Sequence, residues 1–277
     1  AALDIIDDDP MPSVSVGDVS ITEGDTSSVF VDIPFTLSAP SGRTVGVGYS
    51  TLAGTAGASV DYRGSEESVV FPAGTTRVTR RVEILPDRLD EEDETFTVRL
   101  RFPINVALGR DTAQITIVDN DAMPTLTISD LIVTEGDEGT QHPVFTVRLS
   151  APSGRPVQIR GATVNGSALA GEDYVGASLP PTTLAPGETT ALVQMHIAGT
   201  PGHEPDETFY FRLSSPVNAT LADAEGACTI KELRFSSFRR EGADMVLAFP
   251  TGNTGVHYHV ERTDALRGPL TIWTPVT

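Results

Sequence analysis

Apolar and polar residues alternate along most of this chain. Val29, Val31, Ile33, Phe35 and Leu37 interleave with Phe30, Asp32, Pro34, Thr36 and Ser38, and Phe96, Val98, Leu100 and Phe102 interleave with Thr97, Arg99 and Arg101. A period of two sets one face of an extended strand in a core and the other in water. Val78, Val82 and Ile84 share a face as well, and Arg80 interrupts it, which predicts a position near a sheet edge. Adding Ser13 to Ile21, Thr44 to Thr51, Glu67 to Phe71 and Thr112 to Val118 gives seven short strands between turns rich in Gly, Pro, Ser and Asp. This is the pattern of an immunoglobulin-like sandwich, so the fold class is all-β. Pro34 cannot donate to a ladder, and its part of the second strand is therefore expected at an edge or a bulge.

The pattern occurs twice. Met11-Pro12 recurs as Met123-Pro124, Glu23-Gly24-Asp25 as Glu135-Gly136-Asp137, Leu37 to Arg43 as Leu149 to Arg155, and Asp61-Tyr62 as Asp173-Tyr174, all at an offset of 112. Asp93-Glu94-Thr95-Phe96 then recurs as Asp206-Glu207-Thr208-Phe209, at 113. Such self-similarity identifies tandem copies, with expected boundaries at residues 11–122 and 123–232. Residues 1–10 align with the last strand of a repeat whose body is absent. That leaves a strand free to fray or to pair with an exposed edge of a neighbouring repeat or of another copy of the chain. Residues 233–277 read as a smaller, truncated β module, with strands at Leu233 to Phe238, Asp244 to Phe249, His257 to Arg262 and Leu270 to Pro275. His257 and His259 point the same way there but lack a third ligand, the arrangement of an ordinary exposed pair.

Composition narrows the function. A net charge of −19 disfavours nucleic acid and anionic membrane surfaces, and no apolar run is long enough for membrane insertion. Cys228 is the single cysteine, so neither an intrachain disulfide nor a zinc-type cluster can form. It aligns with inward-facing Ile115 and is expected to behave as a small buried hydrophobe. Nothing assembles a catalytic constellation, a phosphate-binding loop or a cofactor signature, so an enzyme is not expected.

The acidic stretch Asp87 to Glu94 places six carboxylates in eight positions. It reads either as a solvated loop or as one wall of a site for a hard cation, which prefers clustered carboxylate and carbonyl oxygens. The order EGD, LSAPSG, GTA-x₄-DY, FPAG, DRLDEEDETF, ITIVDND resembles the Calx-β motif, the calcium-binding repeat of sodium/calcium exchangers and of large bacterial surface proteins. The resemblance implies tandem seven-stranded sandwiches that bind Ca²⁺ at one end. Its implied ligands in the first repeat are Glu23, Asp61, Asp87, Glu91, Glu94, Asp119 and Asp121, with the Leu89 carbonyl and the Asn120 oxygen as additions. Pro86 and Arg88 stand where many relatives carry further aspartates, which implies fewer ions. The second repeat keeps Glu135, Asp173, Glu204, Glu207 and Glu232, but Thr200 replaces Asp87 and Leu233-Arg234 replace Asn120-Asp121, so weak or no calcium binding is expected there. The implied role is an extracellular or cell-surface spacer or adhesion module stiffened by calcium. The rival is a non-catalytic accessory region of a larger secreted enzyme.

Overall fold

A computed structural model describes residues 9–136, 139–200 and 204–231, and the backbone of residues 237–241 and 244–248. The expected upstream strand, His257 and His259, and the last two expected C-terminal strands lie outside them. Two compact units are present. One comprises residues up to Pro124 together with Ala151–Val157 and Leu184–Thr189; the other comprises Thr125–Ser150, Gln158–Thr183 and the chain from Thr190 onward.

The strands of the first repeat are β1 (Ser13–Val16), β2 (Val19–Thr22), β3 (Val29–Leu37), β4 (Val45–Ala53), β5 (Glu66–Phe71), β6 (Arg77–Ile84), β7 (Glu94–Ile104), β8 (Ala107–Leu108) and β9 (Thr112–Val118). They form two sheets, β6-β3-β1-β8 and β2-β9-β7-β4-β5. The inward residues of both meet in one core: Val31, Ile33 and Phe35 from one face, Tyr49, Phe71, Phe96, Val98 and Ile115 from the other, each no more than 1% exposed. Phe35 and Tyr49 pack across the two sheets with ring centroids 5.3 Å apart. Each such side chain contributes about 1.5–3 kcal/mol by leaving water.

Three expectations need correction in detail. The segment Ser13 to Ile21 is not one strand: the chain leaves the first sheet after β1 and joins the second as β2, parallel to β9. Asp18 fixes the crossing by accepting hydrogen bonds from the Gln114 amide at 2.7 Å and from the Arg110 guanidinium. This crossing also explains Pro34, which lies neither on an edge strand nor in a bulge, because β3 sits between β6 and β1. The Pro34 carbonyl accepts from Gly17 at 3.3 Å, so its donorless nitrogen faces the point where β1 ends and no ladder partner is required. Finally, Phe102 breaks the alternation of β7. A bulge between Gly46 and Gly48 shifts the register, Phe102 takes φ +51°, and its ring is 76% exposed. Arg80 does lie on an edge strand, β6.

The second repeat contains β10 (Thr125–Ile128), β11 (Leu131–Thr134), β12 (Thr140–Gln141), β13 (Val144–Leu149), β14 (Val157–Asn165), β15 (Ser178–Leu184), β16 (Thr190–Gln194), β17 (Ile197–Ala198), β18 (Glu207–Val217), β19 (Thr220–Leu221) and β20 (Glu225–Lys231). Its main sheets are β16-β13-β10-β19 and β11-β20-β18-β14-β15, with β12 paired to β17. Backbone irregularities repeat along with the sequence: Phe102 and Ser215, Asn105 and Asn218, and Gly74 and Gly187 are equivalent residues with positive φ. Cys228 is fully buried, and burial pushes its thiol up to about 12, as befits an inert apolar side chain. Further along the chain β21 (Ser237–Glu241) pairs antiparallel with β22 (Asp244–Ala248). The first of these extends beyond the expected end at Phe238.

Candidate metal centre

Strand pairing gathers the acidic residues at one end of the first unit. β2 and β9 are parallel with Thr22 opposite Val118, so the residues that follow both strands emerge side by side. The Glu23 amide donates to the Val118 carbonyl at 3.2 Å, and Glu23, Asp119 and Asp121 each offer an oxygen within 4.8 Å of the others.

A second triad comes from two loops. Asp61, Asp87 and Glu91 meet the same 4.8 Å limit. Asp61 Oδ2 accepts from the Gly57 amide at 2.6 Å, while its carbonyl accepts from the Leu85 amide at 2.9 Å. The next residue, Tyr62, is fully buried and stacks on Phe96 with centroids 4.0 Å apart and planes 11° from parallel. One aromatic contact thereby anchors both the Asp61 loop and the start of β7, where Glu94 hydrogen-bonds Asp61. Asp87 is shaped by an Asx-type turn in which its Oδ1 accepts from the Leu89 amide at 2.9 Å.

The electrostatics join both triads into one field. Burial pushes the Glu23 carboxyl up to about 8 from an ordinary 4.5, and the charges of Asp87, Asp119 and Glu91 and a hydrogen bond with Asp119 add to the rise. Burial, the Asp61 hydrogen bond and the charges of Asp61, Glu91 and Asp87 push Glu94 up to about 7. Glu91 is raised by burial and then by Asp87, Asp61, Asp119 and Asp121. Asp121 is raised by burial, Asp25, Asp119 and Asp87, with Arg88 opposing. Among the described residues, Asp119 Oδ1 and Asp121 Oδ2 are buried without a hydrogen-bond partner. Buried polar oxygens without partners are rare in folded proteins. A concentration of carboxylate oxygens, two of them unpaired, fits a hard divalent cation that takes six to eight oxygens.

Not every carboxylate of Asp87 to Glu94 faces this field. Asp90, 4% exposed, accepts from the Arg155 guanidinium through both oxygens, at 2.5 and 2.6 Å, and Glu92 accepts from Arg155 at 3.0 Å. Asp93 Oδ1 accepts from the Asp119 amide at 3.2 Å and so braces the tail. The Asn120 amide donates to Asp25 Oδ1 at 2.5 Å, leaving its own oxygen as the atom available to a cation. Asp25, Asp93 and Arg155 were not singled out from the sequence. Asp25 had a signal, as the third residue of the repeated EGD; Arg155 closes the repeated LSAPSGR, but nothing in the sequence ties it to Asp90.

The second unit retains a smaller version. Asp173, Glu204 and Glu207 offer oxygens within 4.8 Å of one another, and Tyr174 stacks on Phe209 at 4.0 Å and 12° as its counterpart does. Burial, then the charge of Asp173 and a hydrogen bond with it, raise Glu207. Thr200, in place of Asp87, donates to Glu204 at 2.9 Å. Glu232, Leu233 and Arg234 lie outside the described residues.

Comparison with known proteins agrees with this architecture. The family model of the Calx-beta domain matches residues 6–121 and again 125–232. Extracellular matrix protein 3 of Lytechinus variegatus is 32% identical over 198 residues, 66% of this chain and 6% of that protein. The sodium/calcium exchanger Calx of Drosophila melanogaster is 27% identical over 68% of this chain and 20% of its own length, and sodium/calcium exchanger 1 of Mus musculus is 28% identical over 73% and 22%. The chain therefore spans about a fifth or less of the relatives it matches. Among solved structures, CBD12 from CALX1.2 is covered in full, over 79% of this chain, with 18% identity and a TM-score of 0.39. The apo-form Calx CBD1 domain is likewise covered in full, over 40% of this chain, with 27% identity and a TM-score of 0.38. Two matches to one family model, spanning most of the sequence, establish that the chain belongs to the Calx-beta domain family and carries two such domains in tandem.

Proposed function

We propose that the acidic end of the first unit binds Ca²⁺ and that the tandem domains act as calcium-stiffened modules of a larger extracellular protein. The observation that carries the calcium reading is the pair of buried, unpartnered oxygens on Asp119 and Asp121 beside Glu23, adjoining the triad of Asp61, Asp87 and Glu91. Glu23, Asp61, Asp87, Glu91, Glu94, Asp119 and Asp121 would hold the ion or ions, with the Leu89 carbonyl and the Asn120 oxygen completing the shell. Bound calcium supplies positive charge where the chain supplies mutually repelling negative charge. Without it the carboxylates repel or take up protons; with it the loops around Asp61 and Asp87 and the tail after β9 are drawn together. Occupation of the folded form alone also raises stability by mass action.

The matrix-protein relative supports an extracellular setting. The exchanger relatives favour a second reading, a calcium-responsive module attached to a membrane transporter. Calorimetric titration with Ca²⁺, paired with melting in calcium and in chelator, tests the shared part of both. The expected result is saturable binding with a raised melting temperature, abolished or strongly weakened in Asp119→Asn. No heat and an unchanged transition would reject calcium binding. The full-length sequence separates the readings, since further repeats and a surface anchor favour the first and a transporter domain the second.

A further inference from the structure

The second unit holds a pair of imidazoles that the acidic centre does not use. β12 pairs with β17 with Gln141 opposite Ile197, and β13 pairs with β16 with Val144 opposite Gln194. Both pairings share one antiparallel register, continued between them by the Met195 amide donating to the Pro143 carbonyl at 2.8 Å. That register sets His142 directly opposite His196. Both side chains are exposed, and their rings meet edge to face with centroids 4.7 Å apart and planes at 85°.

We propose that His142 and His196 form a two-imidazole site for a borderline-soft divalent transition cation, with Cu²⁺ the tightest of the series. Cross-strand neighbours stand close enough for both rings to reach one ion. Nitrogens about 2.0–2.1 Å from a shared ion lie about 3 Å apart, which rings at this separation reach by rotation of their side chains. Imidazole nitrogen suits copper, nickel and zinc, whereas calcium takes oxygen, so the site is chemically distinct from the acidic centre. Water completes the coordination, because the ladder positions two residues away on the same face are Thr140, Val144, Gln194 and Ala198, none of them a carboxylate. The first repeat provides an internal contrast. Its equivalent pair is Phe30 opposite Glu83, which offers no such chelate.

The test is titration of the chain with Cu²⁺ in millimolar Ca²⁺, which competes for oxygen-rich sites, read by calorimetry and by electron paramagnetic resonance, whose nitrogen splitting separates imidazole from carboxylate binding. The expected result is one bound Cu²⁺ with nitrogen superhyperfine structure, weakened about tenfold or more in both His142→Ala and His196→Ala, since the second imidazole acts at high effective concentration. The control His257→Ala/His259→Ala should bind as the unaltered chain does. Exposure of both rings leaves the fold of the single variants intact, which their melting curves verify. Binding unchanged in either single variant, lost in the control, or absent throughout would overturn the proposal.

Discussion

Replacing Glu23 by Gln should shift stability in opposite directions with and without calcium. Gln keeps the shape of the side chain and its ability to hydrogen-bond Asp119, but removes the charge. In the calcium-free fold the Glu23 carboxyl stands at about 8 against an ordinary 4.5, through burial first and the neighbouring charges second, so at pH 7 the folded protein bears the cost of keeping that carboxyl protonated. At about 1.4 kcal/mol per tenfold change between 4.5 and 7, that penalty is about 3 kcal/mol. Asp87, Asp119 and Glu91 share the repulsion, so a single substitution should recover only part, about 1–3 kcal/mol. If Glu23 is a ligand as proposed, calcium at a thousand times its dissociation constant should add about 4 kcal/mol to the unaltered chain by mass action and less to the variant, which lacks that anionic oxygen. The assay is urea unfolding at pH 7 in chelator and in millimolar calcium. Glu23→Gln should be the more stable protein in chelator and the less stable one in calcium. A variant less stable in both, or unchanged in both, would refute the placement of Glu23 in a shared cation field.

The pH profile follows from the same groups: Glu23 and Glu94 have folded-state values of about 8 and 7, above their unfolded 4.5. Their contribution is therefore fully present below pH 4.5 and lost as pH rises to about 8, so calcium-free melting temperature should fall across that window and calcium should flatten the slope. Phe96→Ala, which removes a fully buried ring stacked on Tyr62, should cost about 3–5 kcal/mol in chemical unfolding and also weaken calcium binding, because that ring anchors the Asp61 loop. Ser59 adopts φ +74° where the second repeat has Gly171 at +93°; Ser59→Gly should therefore stabilise the first domain by about 0.5–1 kcal/mol, read as a higher urea midpoint. Asp61→Asn should lower calcium affinity while leaving the calcium-free fold at least as stable, checked by titration and melting of the same sample.

The alternating pattern specified the β class and most of the core, because strand burial has a period of two and survives without knowledge of partners, and motifs recurring at offsets of 112 and 113 specified the tandem repeat. The sequence also marked the acidic stretch, the DY and DETF motifs and the Asp119 to Asp121 tail, since carboxylate density is visible in one dimension. Only pairing decided the rest. Parallel β2 and β9 deliver Glu23 beside Asp119, a neighbourhood that no local pattern encodes. The bulge opposite Gly46 and Gly48 turns Phe102 outward despite its apolar phase, because register overrides alternation once a residue is inserted. Asp90 stands outside the implied ligand set, but only the fold shows that it is taken up by Arg155 from 65 positions away, and His142 meets His196 only through a long-range ladder. Sequence determines which residues can carry charge, metal or apolar surface; the tertiary fold decides which of them share a dielectric and a distance, and Coulomb interaction and coordination depend on both.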